Sequence, residues 1–506
     1  MALQAVCGIL CCSGCKYNGN VMHASYPRNP KEVSTMGAKW LTDALHRAGK
    51  LEDNVTVTSI KTEANPDGGL LGDMCRAFVE YDGETTCTKN FMVKFAPKEF
   101  MPQVTCRIFK LGWHEFMWYK DIASDYPIRI PQMLYGDFNH RSTQYCMVRQ
   151  GFVWFGTEDL PSVLCSFQKE NCSFFEDLNN PNLYLSLCIS LLFIFSFVFF
   201  YLSSQFFELI DAEFLRFDNT ENITYERIDL MLKLLAKHHA TSWGGQIVGK
   251  DTSFLSKTNE GASLMLIPES KKHLKTYFNV SKNPALPKNV TSPPEMQKKL
   301  GECFNAFRDI MDFDVKSPWH TINHGDPRMD NFFFNEKGTD NKIGLLDWQL
   351  MIKGSATQDL SWFMCTNLTK AFRLEHWDGL LEMYFNELHK NLLVTRPKEF
   401  TDSENFVSKT HTYSLEQLKE EIGIGHIGSA AKIVIGCGGL DTNDPNNIKV
   451  MGHMSVNAFD HMELDQTMAL VKKFKAGTLI GQKNNTTSTY ESNKSTESKS
   501  VEMSEQ

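Results

Sequence analysis

Apolar positions fall first into a helical rhythm. Between about 33 and 50, Trp40, Leu41, Ala44, Leu45 and Ala48 share one face, and Gly49 follows as a C-terminal stop. The period then shortens to two. Residues 54–60 alternate β-branched positions, and 75–81 and 91–95 continue the pattern, which predicts three strands. Helical spacing returns over 108–122, where Ile108, Leu111, Trp118 and Ile122 form a stripe with Glu115 on the same face. Two further strands are expected at 131–137 and 143–148. The second half of the chain reads as helices, at 224–240, 295–312, 376–393, 415–435 and 461–475. In the first of these, Ile228, Met231, Leu232, Leu235 and His239 share a face. His239 in that stripe is expected to be a satisfied core histidine, and His238 beside it does not give the three- or four-residue spacing of a facing metal pair.

One stretch in this helical half departs from the rhythm. In 324–349, HGDPRMDNFFFNEKGTDNKIGLLDWQ, the apolar runs 331–334 and 343–346 flank a polar turn containing Gly338 and Asp340-Asn341. If the runs pair as an antiparallel hairpin, the start of the first lies beside the end of the second. Asn331 and Asp347 then meet at one end, with Asp326 in the loop just before them. Two carboxylates and an amide at the end of a buried hairpin are hard oxygen donors suited to Mg²⁺ and phosphate.

Composition bounds the rest. A chain of 506 residues is long enough for two sizeable lobes, and 42% hydrophobic with 22% charged residues is a globular balance. The net charge of −8 gives no electrostatic footprint for nucleic acid. The 14 cysteines follow no regular framework, which suits a reducing, cytoplasmic setting. Cys7, Cys11, Cys12 and Cys15 lie in residues 1–32, read as a disordered leader; residues 477–506, rich in Asn, Thr, Ser, Glu and Lys, are read as a disordered tail.

Three upstream features point to nucleotide chemistry. Gly68, Gly69 and Gly72 lie in a turn between two expected strands, where bare backbone N–H groups can approach phosphate. Lys94 stands in the middle of the apolar strand 91–95. Glu115, aimed into a core, needs a cationic partner because unpaired burial costs several kcal/mol. Lys94 is the candidate, with Arg107 and His114 as alternatives.

Taken together, the glycine turn, Lys94, Glu115, the H-G-D-x-x-x-x-N of 324–331 and the D-W-Q of 347–349 resemble the CHK kinase-like, or ecdysteroid-kinase-like, family. That family sits with aminoglycoside phosphotransferases and choline kinases. The segments 235–243 (LAKHHATSW) and 354–364 (GSATQDLSWFM) resemble two more of its motifs. The resemblance implies an α+β, bilobal protein-kinase-like fold, with a small β-rich N-lobe and hinge over 33–182 and a larger α-rich C-lobe over 208–476. It implies ATP and Mg²⁺ as cofactors and transfer of the γ-phosphoryl group to a small-molecule hydroxyl. Asp326 would be the catalytic base, Asn331 and Asp347 the metal ligands and His324 a structural loop residue. The Lys94–Glu115 pair would hold ATP phosphates. Glu176 and Leu178, in 173–178, resemble the hinge that meets the adenine, although 157–160 is a rival copy. Asp359 is expected either to brace the catalytic loop through backbone N–H groups or to be a plain helix cap. D-W-Q replaces D-F-G and no A-P-E segment follows, so a small molecule is expected as acceptor rather than a protein. Choline-, steroid- and aminoglycoside-like alcohols all stay open, as does the oligomeric state.

Two segments interrupt the resemblance. Residues 149–171 have no counterpart in the family and read as an insertion. Residues 183–207, LYLSLCISLLFIFSFVFFYLSSQFF, carry no charge and meet the length criterion for a transmembrane helix. A single crossing there conflicts with Lys94 and Asp347 serving one nucleotide, and the flanking charges give no orientation. A membrane-dipping hairpin, a non-functional variant or an unspliced insert remain, and the insert is the reading taken. Two rival functions follow: a catalytically silent nucleotide-binding protein, and a membrane-anchored protein of other role.

Overall fold

The computed structural model describes residues 26–64, 74–98, 100–139, 143–150, 214–215, 224–260, parts of 263–277, 294–316, 320–335, 343–397, 406–407, 412–437 and 464–482 except 481. They fall into two compact units, one within 1–108 and 133–215, the other within 109–132 and 216–506. The first is β-rich and the second, larger one is mainly helical, the α+β division expected from the sequence.

The first unit opens with helix α1, Pro30–Arg47. Asn29 caps it: its Oδ1 accepts from the Glu32 backbone N–H at 3.0 Å, and its Nδ2 donates to the Glu32 carboxylate at 2.8 Å. Gly49 (φ 61°) ends it in the left-handed region. There Lys50 N donates to Leu45 O and Gly49 N to His46 O, closing the last turn. The strands are β1, Val57–Ala64, β2, Met74–Tyr81, β3, Asn90–Phe95, β4, Met133–Phe138, and β5, Tyr145–Gln150. They form one antiparallel sheet in the order β1-β2-β3-β5-β4. Trp40, Leu41, Ala44 and Leu45 of α1 share a core with Phe91, Val93 and Phe95 of β3. Strand side chains alternate, so Met92 and Lys94 face the other side of the sheet.

Helix α2, Phe100–Phe109, precedes α3, Leu111–Asp121. The single helix expected over 108–122 is therefore two. Lys110 sits between them at φ 54°, and Ile108 is not on the helix that carries Glu115.

In the second unit, α3 is followed by α4, Tyr225–Thr241, whose N-cap Thr224 accepts from Arg227 N. Ile228, Met231, Leu232, Leu235 and His239 are all fully buried, as the periodicity predicted. Helix α5, Pro294–Lys316, leads to strand β6, His320–Asn323. Then come the hairpin strands β7, Phe332–Asn335, and β8, Ile343–Leu345, followed by β9, Ile352–Ser355. Strands β6 and β9 pair antiparallel. Helices α6, Thr357–Asn367, α7, Lys370–Thr395, α8, Leu415–Cys437, and α9, Leu464–Lys475, complete the unit. Helix α4 packs on α7, and α6 on α8. Among the described residues, no helix is long and apolar enough to cross a membrane. Residues 1–25, 151–213 and 483–506 lie outside them, and with them the hinge motif, the hydrophobic segment and most of the leader, insertion and tail. Residues 26–32 of the expected disordered leader are described, with Asn29 and Pro30 starting α1, and Arg149 and Gln150 of the expected insertion belong to β5.

Where α5 ends against α8, a half-buried carboxyl, Asp314, lies near a buried one, Glu421. Gln358 Nε2 donates to Asp314 Oδ2 at 3.2 Å, and Gln417 Nε2 and Tyr413 OH donate to Glu421 at 2.8 and 3.0 Å. Burial pushes both carboxyls up to about 7, with the Glu421 charge adding to the rise at Asp314. A carboxyl raised in the folded chain contributes its full stability only below its unfolded value, about 4. That stability is lost as pH climbs through the folded value. The melting temperature should therefore fall between pH 5 and pH 8. At about 1.4 kcal/mol per pKa unit, Glu421→Gln should shrink that loss by roughly 2 kcal/mol. Thermal melts of both proteins across this range check the slope.

Candidate active site

The loop between β6 and β7 is fixed from below by one carboxylate. Asp359, in the first turn of α6, accepts from the backbone N–H of His324 at 2.7 Å and of Gly325 at 2.8 Å. Its own N–H donates to Asn323 Oδ1 at 3.3 Å. The two readings left open for Asp359 thus resolve in favour of the brace: the side chain reaches across to the loop and does not cap its own helix. His239 Nε2–H donates to the same carboxylate at 3.2 Å, and Tyr384 OH donates to His239 Nδ1 at 2.7 Å. The tautomer follows from these partners. His239 is therefore the satisfied core histidine expected.

Burial pushes the Asp359 carboxyl up, but the His239 hydrogen bond and the neighbouring histidines outweigh it, and the net direction is down. Burial also drives His238 well below its ordinary value, so its ring is neutral. His238, His239 and Asp359 can bring ligand atoms within 4.8 Å of one another. Both Asp359 oxygens are already engaged by N–H donors, which makes this a hydrogen-bonded brace.

Gly325 could be no other residue. Its φ is +90°, and a Cβ there would run into the backbone carbonyl of Leu350. His324 donates from Nε2 to Leu346 O at 2.7 Å, while its Nδ1 accepts from Asp326 N at 3.3 Å, a structural role for the motif's histidine.

Asp326 is 2% exposed. Its Oδ1 accepts from Arg328 Nε at 2.9 Å and Trp362 Nε1 at 2.8 Å. Its Oδ2 accepts from Asn331 Nδ2 at 3.2 Å, and the same amide donates to Asp326 O at 2.8 Å. Both bonds use the Asn331 nitrogen, so Oδ1 of that amide points elsewhere. The hairpin pairs Phe332 with Leu345 and Phe334 with Ile343, and Leu346 N donates to Asn331 O at 2.8 Å. Asn331 thus lies beside the residue that precedes Asp347, the juxtaposition the two apolar runs implied. Gly344 opposite Phe333 leaves room for that ring, which a Cβ would overlap. Asp347 takes the left-handed conformation (φ 61°, ψ 65°), and Gln349 Nε2 donates to its Oδ2 at 2.9 Å. An amide oxygen and a carboxylate are the kinds of donor that fit Mg²⁺.

The other expected site residues are distributed as follows. Lys94 lies in the central strand of the first unit, 7% exposed, and Glu115 in α3 of the second, fully buried. Burial, with the Lys110 charge, pushes His114 down to about 4, which removes it as a cationic partner for Glu115 at neutral pH. Gly68, Gly69, Gly72, Glu176 and Leu178 lie outside the described residues.

Sequence reasoning missed four contributors. Arg328 occupies a variable position of the motif and makes a fully buried ion pair with Asp326. Trp362 and Asn367 follow Asp359 at helical spacing on α6. Asn367 accepts from Met329 N at 2.7 Å and donates to Pro327 O at 3.1 Å. A face count from Asp359 could have found both. Lys432 of α8 donates to Gly325 O at 3.4 Å and lies 4.9 Å above the Trp362 ring. Nothing in its local sequence signals this.

A β-rich unit, a helical unit and a braced H-G-D loop feeding a hairpin place the chain in the kinase-like α+β fold class. Within that class, residues 206–396 match the family model of the Ecdysteroid kinase-like family, bearing out the resemblance read from the motifs. Among curated proteins, none matches the chain. Similar solved structures include a choline kinase from Cryptosporidium parvum Iowa II (11% identity, TM-score 0.42, 86% of this chain and 92% of that one). A microcompartment-associated aminopropanol kinase is another (9%, 0.38, 87% and 99%), and so is the GDP complex of aminoglycoside 2'-phosphotransferase-IIIa (11%, 0.35, 81% and 94%). At these identities and TM-scores the likenesses leave this chain's own substrate open.

The brace makes a direct prediction. Asp359→Ala would leave two backbone N–H groups and His239 without their acceptor. It should cost about 3–5 kcal/mol, against a smaller loss for Asp359→Asn, which keeps one carbonyl oxygen. Urea denaturation midpoints of the two variants test the order.

Proposed function

We propose that the protein is an ATP-dependent kinase that phosphorylates an alcohol hydroxyl on a small molecule. The observation that carries this reading is the loop itself: a buried Asp326 with Asn331 on its Oδ2 edge, and Asn331 beside the end of the strand that delivers Asp347. In the proposed mechanism Asp326 orients and deprotonates the acceptor hydroxyl. Its Oδ1 edge is filled by Arg328 and Trp362, so Oδ2 is the edge that takes the hydroxyl. Asn331 and Asp347 would hold Mg²⁺, which would neutralise the charge that develops on the transferred phosphoryl group. Lys94, with Glu115, and the glycine turn at 68–72 position the nucleotide, and Glu176 and Leu178 meet its adenine. The negative chain supports a small-molecule partner over nucleic acid, and scattered cysteines support a cytoplasmic location.

Two measurements test the reading. Purified protein with labelled ATP should phosphorylate at least one member of a panel of steroid, choline-like and aminoglycoside alcohols, and EDTA should abolish the transfer. Turnover of none of them would favour a silent nucleotide-binding protein. Asp326→Asn should keep ATP binding and lower turnover by at least about 100-fold. Undiminished transfer in that variant would remove Asp326 from the role of base.

A further inference from the structure

The residue between Asp347 and Gln349 is held more tightly than any chemistry proposed for it requires. Trp348 is fully buried and donates from Nε1 to Leu345 O at 3.2 Å. Four rings surround it. Trp118 of α3 stacks on it, with centroids 4.2 Å apart and planes 16° from parallel. His324 meets it edge-on at 4.8 Å, His238 at 5.1 Å and Tyr126 at 6.1 Å. The outer rings are themselves fixed: Tyr126 OH and His238 Nδ1 share a hydrogen bond of 2.7 Å, and the Tyr126 ring packs on Trp118 at 4.8 Å. Trp118 is fully buried, yet among the described residues its Nε1 has no hydrogen-bond partner. An indole that leaves its N–H unsatisfied contributes through its face, and here that face lies against Trp348.

The residue before Trp348 is the left-handed Asp347. A non-glycine residue keeps that conformation only where its surroundings over-determine it. On the chain side the constraint is the Trp348 cage, and the one wall of the cage contributed by a helix carrying another proposed site residue is Trp118. Glu115 sits three positions earlier on the same helix.

We propose that Trp118 is a positioning residue: by stacking on Trp348 it holds Asp347 in its left-handed conformation and so couples helix α3 to the metal-binding carboxylate. This rests on the phosphotransferase reading above. Loosening the stack lets Asp347 relax and weakens metal binding without touching the acceptor.

The test measures Mn²⁺ affinity by electron paramagnetic resonance on the full chain saturated with a non-hydrolysable ATP analogue, corrected for the analogue alone. Trp118→Leu should raise the Mn²⁺ Kd about tenfold, the scale of an outer-shell substitution at a metal site. Trp118→Phe, which keeps a planar face, should restore most of it. Near-UV circular dichroism should lose the stacked-indole signal in both, and the acceptor KM should stay within about twofold while the Mg²⁺ requirement rises. An unchanged Kd in folded Trp118→Leu overturns the clamp. If that variant does not fold, Trp118→Phe and Trp118→Tyr decide, since an about tenfold loss of Mn²⁺ affinity in both, although each keeps a planar ring, overturns it equally. Wild-type protein that binds no Mn²⁺ overturns the phosphotransferase reading and the clamp with it. Tight wild-type binding with an unmoved variant Kd overturns the clamp alone.

Discussion

Two backbone N–H groups converging on the Asp359 carboxylate are the constraint on which the rest of the candidate site depends. Buried amide hydrogens need acceptors, and the loop's own carbonyls take those of Arg328 and Asn331 but not those of His324 and Gly325. One carboxylate meets two of them and takes His239 as well, in a buried setting. Because Asp359 is anchored in the first turn of a buried helix, the loop inherits the rigidity of α6. Trp362 and Asn367 add contacts from the same face, to Asp326 and to the backbone of Pro327 and Met329. The helix thus acts as a template for the loop, and the hairpin that follows starts from a fixed point.

The environment of Asp326 shows how a buried carboxylate is kept without an uncompensated charge. Arg328 sits two residues away and pairs with one oxygen, while the Asn331 amide bonds the other. Breaking such a pair is costlier than never forming it, because the survivor is left charged and desolvated. That asymmetry ties Asp326, Arg328 and Trp362 into one unit, although only the first stood out as chemistry. Asp347 is constrained differently, by a bond from Gln349 and by the packing of its neighbour. A polar network sets one half of the site and aromatic packing the other.

Much of this was legible in the linear pattern. The helical stripes marked α1, α4, α7, α8 and α9, and alternation marked the five strands of the first unit. The two apolar runs around a polar turn gave the hairpin, including which of its ends Asn331 occupies. Local steric and hydrogen-bonding rules act over a few residues, so a few residues suffice to read them. The helix expected over 108–122 failed for a related reason. A break at one left-handed lysine leaves apolar spacing almost undisturbed, and spacing was the only signal used.

By itself, then, the sequence determined the elements, the order of the motifs and the kind of donor at each proposed position. Periodicity and short motifs encode those locally. Tertiary structure alone decided which carboxylate braces the loop, that His114 is too desolvated to carry charge, and that Lys432, about seventy residues after Trp362, lies over its ring. These depend on burial and on contacts between distant segments, which no window of sequence contains. D-W-Q is the clearest case. Its letters suggested a metal ligand, and the fold surrounded the middle one with four rings.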